Sequence, residues 1–140
     1  MKKKFENILF KRYPNIFKQI NINPLQISKG IQCKSGWYDL IDIACLKIKE
    51  YIEFKNRKIE EENKSKPKTL IPSRSYDKLT FEACQIKSKF DGMRFYFDGG
   101  DDYISGIIAM TEAMSLKICE HCGQKLTAKI EFRCEKCRKN

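Results

Sequence analysis

Four cysteines near the end of the sequence are the residues whose type and spacing most directly suggest chemistry. They form two C-x2-C pairs separated by eleven residues, and they are Cys119, Cys122, Cys134 and Cys137. A zinc ion takes four thiolates in a tetrahedral arrangement, and each C-x2-C turn can supply two of them from one side. In a chain without a recognisable secretion signal, such paired knuckles indicate a metal site rather than disulfide bonds. We therefore predict a structural Zn²⁺ ion held by these four thiolates.

The segment that carries the cysteines is predicted to be a small zinc ribbon over residues 119–140. Gly123 directly follows the second cysteine, where a tight turn favours glycine. The residues between the two pairs are numerous enough for two short strands and a turn. Four thiolates leave no open coordination position, so the site is predicted to be structural and not hydrolytic. We interpret His121, inside the first knuckle, as a surface residue because four thiolates are already present.

The other reactive side chains do not form a recognisable catalytic motif. The sequence has one histidine, and it contains no G-x-S-x-G, no phosphate-binding loop and no H-E-x-x-H. Asp101 and Asp102 follow two glycines, where acids usually act as helix caps. Cys33, Cys45 and Cys84 stand in apolar surroundings, where a reduced cysteine behaves as a small hydrophobe. We therefore expect a protein that is not an enzyme.

The charge balance favours a polyanionic partner without identifying it. The 140 residues include 28 Lys and Arg against 18 Asp and Glu, which gives a net charge of +10. Such an excess is typical of nucleic-acid-binding proteins. Only six of the basic residues are arginines, however, and proteins that read bases rely on arginine contacts to guanine. A lysine- and isoleucine-rich chain written by an AT-rich genome is the competing interpretation.

Hydropathy gives an expectation for localisation. No stretch approaches the roughly eighteen apolar residues that a membrane-spanning helix needs. The basic start, Met1 to Lys4, is followed by Phe5-Glu6-Asn7, without the apolar segment and cleavage site of a secretory signal. We therefore expect a cytoplasmic protein that does not associate with membranes.

Apolar periodicity predicts helices in the first half of the chain. Residues 5–20 show helical spacing that Pro14 interrupts. The strongest pattern places apolar residues at 37, 40, 41, 44, 45, 48, 51 and 52, which is one face of a helix, with Ser35 as its N-cap. We expect this helix to continue as a charged, solvated end over 55–63. A basic linker with helix-breaking prolines then follows over about 63–79.

A β-hairpin is predicted after the linker. Its strands, 81–90 and 93–97, flank Asp91-Gly92, a pair that favours a two-residue turn. Pairing outward from that turn places Phe90 opposite Met93 and makes one face apolar. The other face is basic with one aromatic residue, and its members are Gln85, Lys87, Lys89, Arg94 and Tyr96.

These elements together predict an α+β fold. A final helix, capped by Asp101 or Asp102, is expected to run to Ile118 and directly into the cysteines. Amphipathic helices would then pack on the hairpin in a domain over 1–118, and the zinc ribbon over 119–140 would pack on that domain.

Several blocks of the sequence also carry a resemblance to a known group of proteins. In chain order they are Arg12-Tyr13-Pro14-x-Ile16-Phe17, Gly36-Trp37-x-x-Leu40-Ile41, Lys87-x-Lys89-Phe90-x-Gly92-x-Arg94-Phe95-Tyr96, Gly99-Gly100-Asp101-Asp102, Ser115 and Cys119-Glu120-x-Cys122-Gly123. This order resembles a family of small, uncharacterised bacteriophage and prophage proteins. The hairpin of that family reads more like K-E-K-F-G-G-L-R-F-Y, so Ser88 replaces an acid and Asp91 a glycine. No catalytic residue is therefore carried over.

The resemblance implies a viral protein in a bacterial host cell. Small phage proteins often dock on host machines, so the first functional hypothesis is a non-enzymatic protein that binds and inhibits a bacterial protein machine, such as a CRISPR effector nuclease. The alternative is a basic, nucleic-acid-binding zinc-ribbon accessory protein. Either partner would meet the same predicted binding residues, which are Lys87, Lys89, Arg94 and Tyr96 on the hairpin and Lys125, Lys129, Arg133, Lys136 and Arg138 on the ribbon.

Overall fold

The computed structural model describes residues 1–22, 31–65, 77–126 and 133–138, with the side chains of residues 21 and 22 excepted. Helices and strands follow in the order α1 Lys3–Arg12, α2 Lys18–Ile22, a 3-10 turn Ser35–Trp37, α3 Tyr38–Ser65, β1 Phe81–Lys89, β2 Gly92–Gly99, α4 Asp102–Ser115 and α5 Glu135–Arg138. The strands form a two-stranded antiparallel sheet. Helix α4 packs against both α3 and β2, and α2 packs against β1. The mixed helix-and-hairpin architecture that the sequence predicts is therefore confirmed.

Helix α3 places the predicted apolar stripe in the core. Its first half buries Leu40, Ile41, Ala44, Cys45 and Ile48, which recur at intervals of three and four residues. The predicted N-cap is wrong, because the 3-10 turn at 35–37 precedes the helix. The Ser35 hydroxyl instead accepts a hydrogen bond from the Lys2 amide at 2.9 Å.

The predicted linker over about 63–79 is described only at its two ends, because residues 66–76 lie outside the described residues. Helix α3 continues to Ser65. After the gap, Leu79 is fixed to α3 by two reciprocal hydrogen bonds with the Asn56 amide, at 2.8 and 3.0 Å. Lys78 forms an ion pair with Glu60 at 2.6 Å. A side-chain amide thus satisfies both backbone groups of Leu79, which a charge and proline pattern does not reveal.

The hairpin turns one residue earlier than predicted. Phe90 and Asp91 are the turn residues, with φ of 50° and 60°, and Ser88 is paired with Met93. Gly92 lies within β2, where it is paired with Lys89. The shift changes each partner by two positions, so residues 85–89 and the residues of β2 keep their predicted faces, while Phe90 leaves the apolar face for the turn. A β-bulge between Ala83 and Gln85 is an addition that the alternation did not predict.

The outer edges of both strands are covered by other parts of the chain. On the β1 side, the Gln32 amide donates to the Ile86 carbonyl at 2.8 Å, and the Ser88 amide donates to the Gln32 carbonyl at 3.1 Å. On the β2 side, the amide of Met93 donates to the Ser115 hydroxyl at 2.8 Å. The Phe95 amide donates to a carboxylate oxygen of Glu112 at 2.8 Å. Side chains of α4 therefore take the place of a third strand beside β2.

Helix α4 begins as predicted and ends earlier. The Asp101 side chain accepts from the Ile104 amide at 3.1 Å and is the N-cap. The helix ends at Ser115, and Ile118 forms an isolated bridge with Lys125. Within the part of the chain that the structure describes, no helix is both long enough and apolar enough to cross a membrane.

Candidate metal centre and basic hairpin face

The four predicted cysteines lie together. The sulfur atoms of Cys119, Cys122, Cys134 and Cys137 are all within 4.8 Å of one another. The Sγ atoms of Cys122 and Cys134 are 3.5 Å apart. Four thiolates around a tetrahedral zinc ion, each about 2.3 Å from the metal, would stand roughly 3.8 Å from one another. The cluster can therefore hold a metal ion, and its size and donor set fit zinc.

The first pair lies in a tight knuckle. The Gly123 amide donates to the Cys119 carbonyl at 2.9 Å, and the Cys119 amide donates to the Gln124 carbonyl at 2.8 Å. Gly123 has φ of 78°, in the left-handed region that favours glycine. This turn buries Cys119 and leaves Cys122 exposed at the surface.

The second pair lies on a helical turn. Cys134 precedes the short helix α5, and the Cys137 amide donates to the Cys134 carbonyl at 3.0 Å. A C-x2-C spacing on one helical turn brings both sulfurs to the same side. The strands of the predicted ribbon would fall largely in 127–132, outside the described residues. Clustering of the four cysteines is thus confirmed, while the ribbon itself stays a prediction.

The backbone of the cluster favours a thiolate at Cys119. Burial opposes this charge, but the amide groups of Cys134, Cys122 and His121 together lower the pKa of the Cys119 thiol to about 6. At Cys137, a hydrogen bond with Cys122 and then burial raise the pKa of the thiol to about 12. The protein alone therefore stabilises one thiolate, and the positive charge of a bound metal ion would stabilise the others.

His121 differs from its predicted role as a surface residue. It is only half-exposed, and its Nε2 atom is buried without a hydrogen-bond partner among the described residues. It does not belong to the group of ligand atoms that lie within reach of one metal.

The first knuckle is joined to the start of α3 by a close backbone approach. The Gly36 amide donates to the Glu120 carbonyl at 2.7 Å. A Cβ atom on Gly36 would lie 2.3 Å from the Cys119 carbonyl oxygen and 2.5 Å from the Gly123 nitrogen. Trp37 is 1% exposed, and its indole Nε1 donates to the Ile118 carbonyl at 2.9 Å. The sequence analysis missed this junction, although the Gly36-Trp37 dipeptide was its signal.

The Glu120 side chain forms a second link between the knuckle and the domain. Its Oε1 accepts from the Lys34 amide at 2.9 Å, and its Oε2 accepts from the Ser88 hydroxyl at 3.2 Å. Ser88, which lies on the hairpin, thereby contacts the knuckle. The metal candidate is therefore attached both to the segment before α3 and to the hairpin.

The predicted basic face lies on the outer side of the hairpin. Lys87 and Arg94 are direct cross-strand partners, and Tyr96 is paired with Gln85. Lys87 Nζ lies 5.1 Å from the centre of the Tyr96 ring. Within the described residues, neither of the two cations is ion-paired with a carboxylate, and the same holds for Lys89.

Phe90 belongs to this basic face, contrary to the prediction. It was expected opposite Met93 on the apolar side, but it occupies the turn and is 78% exposed. Lys89 Nζ lies 5.0 Å from the centre of its ring. The earlier position of the turn is the reason, because it removes Phe90 from the strand.

The predicted ribbon cations form the second group of proposed binding residues. They flank the cysteines, and those that the structure describes are exposed: Lys125, Arg133, Lys136 and Arg138. Lys129 lies outside the described residues. Comparison with protein-family models, curated proteins and solved structures finds no match. The similarity to phage proteins therefore stays a prediction from the sequence blocks, and function must be argued from the geometry.

Proposed function

We propose that this chain is a non-catalytic binding protein whose outer hairpin face binds single-stranded nucleic acid. The observation that carries the proposal is the direct cross-strand pairing of Lys87 with Arg94. Like charges in this position are destabilising, and none of the described carboxylates pairs with either one. An anionic ligand removes that repulsion, because a phosphate can neutralise both cations at once.

The exposed aromatic residues on this face favour single-stranded nucleic acid over other polyanionic ligands. Tyr96 and Phe90 are exposed, each beside a lysine of the same face. Proteins that bind single strands combine a basic surface with aromatic rings on which bases stack. A duplex offers phosphates but keeps its bases stacked on one another, so it would use only the cations.

The metal is proposed to be zinc with a structural role. Four thiolates complete a tetrahedral shell, and such a shell contributes folding free energy rather than a reactive position. Through Glu120, which contacts Ser88, the metal would stabilise the hairpin end next to the cations. In more detail, we propose that residues 119–140 fold as a zinc ribbon around this ion.

Fluorescence anisotropy with a labelled single-stranded oligonucleotide, on the zinc-loaded chain, tests the function. Three phosphate contacts on a single strand predict a fall in affinity of roughly 20-fold when salt rises from about 50 to about 200 mM. The triple variant K87Q/K89Q/R94Q should lose most of the binding and most of this salt dependence. Affinity that does not change with salt would contradict the proposal.

A second triple variant separates the hairpin face from general charge. K4Q/K11Q/K64Q removes three exposed lysines that lie on α1 and near the end of α3, and it lowers the net charge from +10 to the same +7. If both triple variants lose equal affinity, the hairpin is not the site. We expect the second variant to bind nearly as well as the unchanged chain.

Inhibition of a bacterial host protein machine is the alternative that the phage resemblance predicts. The unpaired hairpin cations also fit an acidic protein surface. A stoichiometric protein that co-purifies after nuclease treatment, together with no binding to oligonucleotides, would favour this alternative. The same hairpin triple variant should then release the captured protein.

A further inference from the structure

Helix α4 has a buried apolar side and a second apolar side that is exposed. Its inner side is buried against α3 and β2 and includes Ile108. Its outer side exposes Met110 by 60% and Met114 by 45%. Tyr103 lies at the edge of the outer side, where its ring stacks on Tyr51 of α3 with 4.2 Å between the ring centres and stays 56% exposed. A helix that is apolar all round is normally covered on both sides. The outer side therefore resembles half of a helix–helix interface.

The charges on this outer side lie at its two ends. Asp102 begins the helix and Lys117 lies just beyond it, and both are exposed. Neither forms an ion pair with a described residue. Between them the sequence has one charged residue, Glu112, whose carboxylate already accepts from the Phe95 amide. An acid at one end and a base at the other are complementary to the same helix in the reverse direction.

We propose that α4 packs antiparallel against α4 of a second copy of this chain, across a two-fold axis between Ala109 and Met110. In this register Asp102 of one copy faces Lys117 of the other, and the two helix dipoles oppose each other favourably. Both charges lie at the same distance along the chain from the axis. The dimer therefore has one ion pair at each end, to which one copy contributes Asp102 and the other Lys117.

The shapes of the side chains are self-complementary in the same register. Met110 faces Ala109 of the second copy, and Met114 faces Ser105, so long side chains meet short ones. At the flanks, Tyr103 would face Leu116, which is also half-exposed. The position of Gly106 supports a close approach, because a Cβ there would meet nothing within 4 Å in its own chain.

Sedimentation velocity on the full, zinc-loaded chain without nucleic acid tests this proposal over a range of protein concentrations. The unchanged chain should form a dimer, and M110K should raise the dimer dissociation constant by about tenfold or more, because it buries unpaired charge near the axis. The matched control Y96K alters an exposed residue on the opposite side of β2 and should remain dimeric. A monomer at every concentration, or a dimer that M110K leaves unchanged, would overturn the proposal.

A charge exchange tests the antiparallel register separately. D102K and K117D should each weaken the dimer by about two- to fivefold, as expected for exposed ion pairs. The double variant D102K/K117D should restore it, because opposite charges again face each other. Circular dichroism of each variant confirms that the fold is intact. Failure of the double variant to recover the dimer would overturn this register.

Discussion

The amide of Gly36 donates a hydrogen bond to the carbonyl of Glu120 at 2.7 Å. Glu120 lies between Cys119 and Cys122 of the candidate metal centre, so this bond attaches the start of α3 to the first knuckle. The contact joins backbone to backbone with no side chain between them. Folding of α3 and formation of the first knuckle are therefore coupled at this glycine.

Substitution of Gly36 by alanine should destabilise the protein by about 2 kcal/mol, as overpacking of a close contact does. The new Cβ would meet the backbone atoms of Cys119 and Gly123, which cannot rotate away. Chemical denaturation followed by circular dichroism measures the loss. Gly106→Ala, measured at a protein concentration at which both chains are monomeric, is the control and should stabilise the chain by up to about 1 kcal/mol, since alanine favours a helix. Equal stability of G36A and the unchanged chain would contradict the close approach.

Removal of the metal should be visible in the fluorescence of Trp37, the only tryptophan of the chain. Its indole donates to the carbonyl of Ile118, which directly precedes Cys119. Chelation, C119S or C134S should therefore shift the emission to longer wavelength as water reaches the ring. Cys84→Ser is the control, because this half-buried cysteine lies outside the cluster. Full zinc content in C119S and C134S would show that the ligands are wrongly assigned.

Stability should fall in alkaline solution because of the buried cysteines. Burial raises the pKa of Cys33 to about 12, and it also raises the pKa of Cys45 above its usual value. Both thiols stay protonated in the folded protein but ionise after unfolding near their ordinary pKa of 9.0. Their contribution is thus fully present below pH 9 and is lost as the pH rises towards 12, at about 1.4 kcal/mol per pH unit for each thiol.

Cys45→Ala provides the comparison for this pH dependence. The free energy of unfolding of the variant, measured at several pH values from 8 to 11, should fall less steeply by about 1.4 kcal/mol per pH unit. An unchanged slope would mean that Cys45 ionises in the folded state as readily as in the unfolded state.

Asp101 should stabilise the start of α4, and this contribution to stability should be lost at low pH. Burial raises the pKa of its carboxyl, but hydrogen bonds from Tyr51 and from the Ile104 amide lower it below the ordinary value. Its contribution is therefore present above the unfolded pKa of 3.8 and is lost as the pH falls through the folded value. At neutral pH, D101A should cost about 1–2 kcal/mol in thermal or chemical unfolding, while D101S should keep most of the cap.

Tyr96 should contribute stacking rather than charge to the binding of single strands. Tyr96→Ala should lower the affinity by the worth of one stacked base, about 1–3 kcal/mol, and leave the salt dependence unchanged. Tyr96→Phe keeps the ring and should bind nearly as the unchanged chain does. A weaker salt dependence in Y96A would mean that the tyrosine acts by positioning Lys87. The Nζ atom of this lysine lies over the tyrosine ring.

Local sequence patterns predicted the elements more accurately than the contacts between them. The apolar stripe of α3 and the cap at Asp101 depend on neighbouring residues, and both were found. The turn was misplaced because Asp91-Gly92 is the better local signal, whereas the structure places Phe90 and Asp91 in the turn with positive φ. Proximity of the four cysteines was predicted from spacing alone, since two C-x2-C turns have few other uses.

The contacts that hold the cysteine segment to the domain could not be predicted. The Glu120 carboxylate accepts hydrogen bonds from Lys34 and Ser88. Both residues lie far from Glu120 in the sequence, and no sequence pattern connects them to it. Exposure of Phe90 was missed for the related reason that one residue of register decides whether a side chain belongs to a strand or a turn.

The covered edges of the hairpin have a consequence for how other chains can approach it. An open strand edge invites a foreign strand to extend the sheet, which is a common route to aggregation and to peptide capture. Here the backbone of Gln32 forms hydrogen bonds with β1. The side chains of Ser115 and Glu112 accept hydrogen bonds from backbone amides of β2. A visiting chain would have to displace these groups before it could add a strand. Recognition at this sheet is therefore restricted to the side chains on its open face, and the protein is protected from edge-to-edge polymerisation.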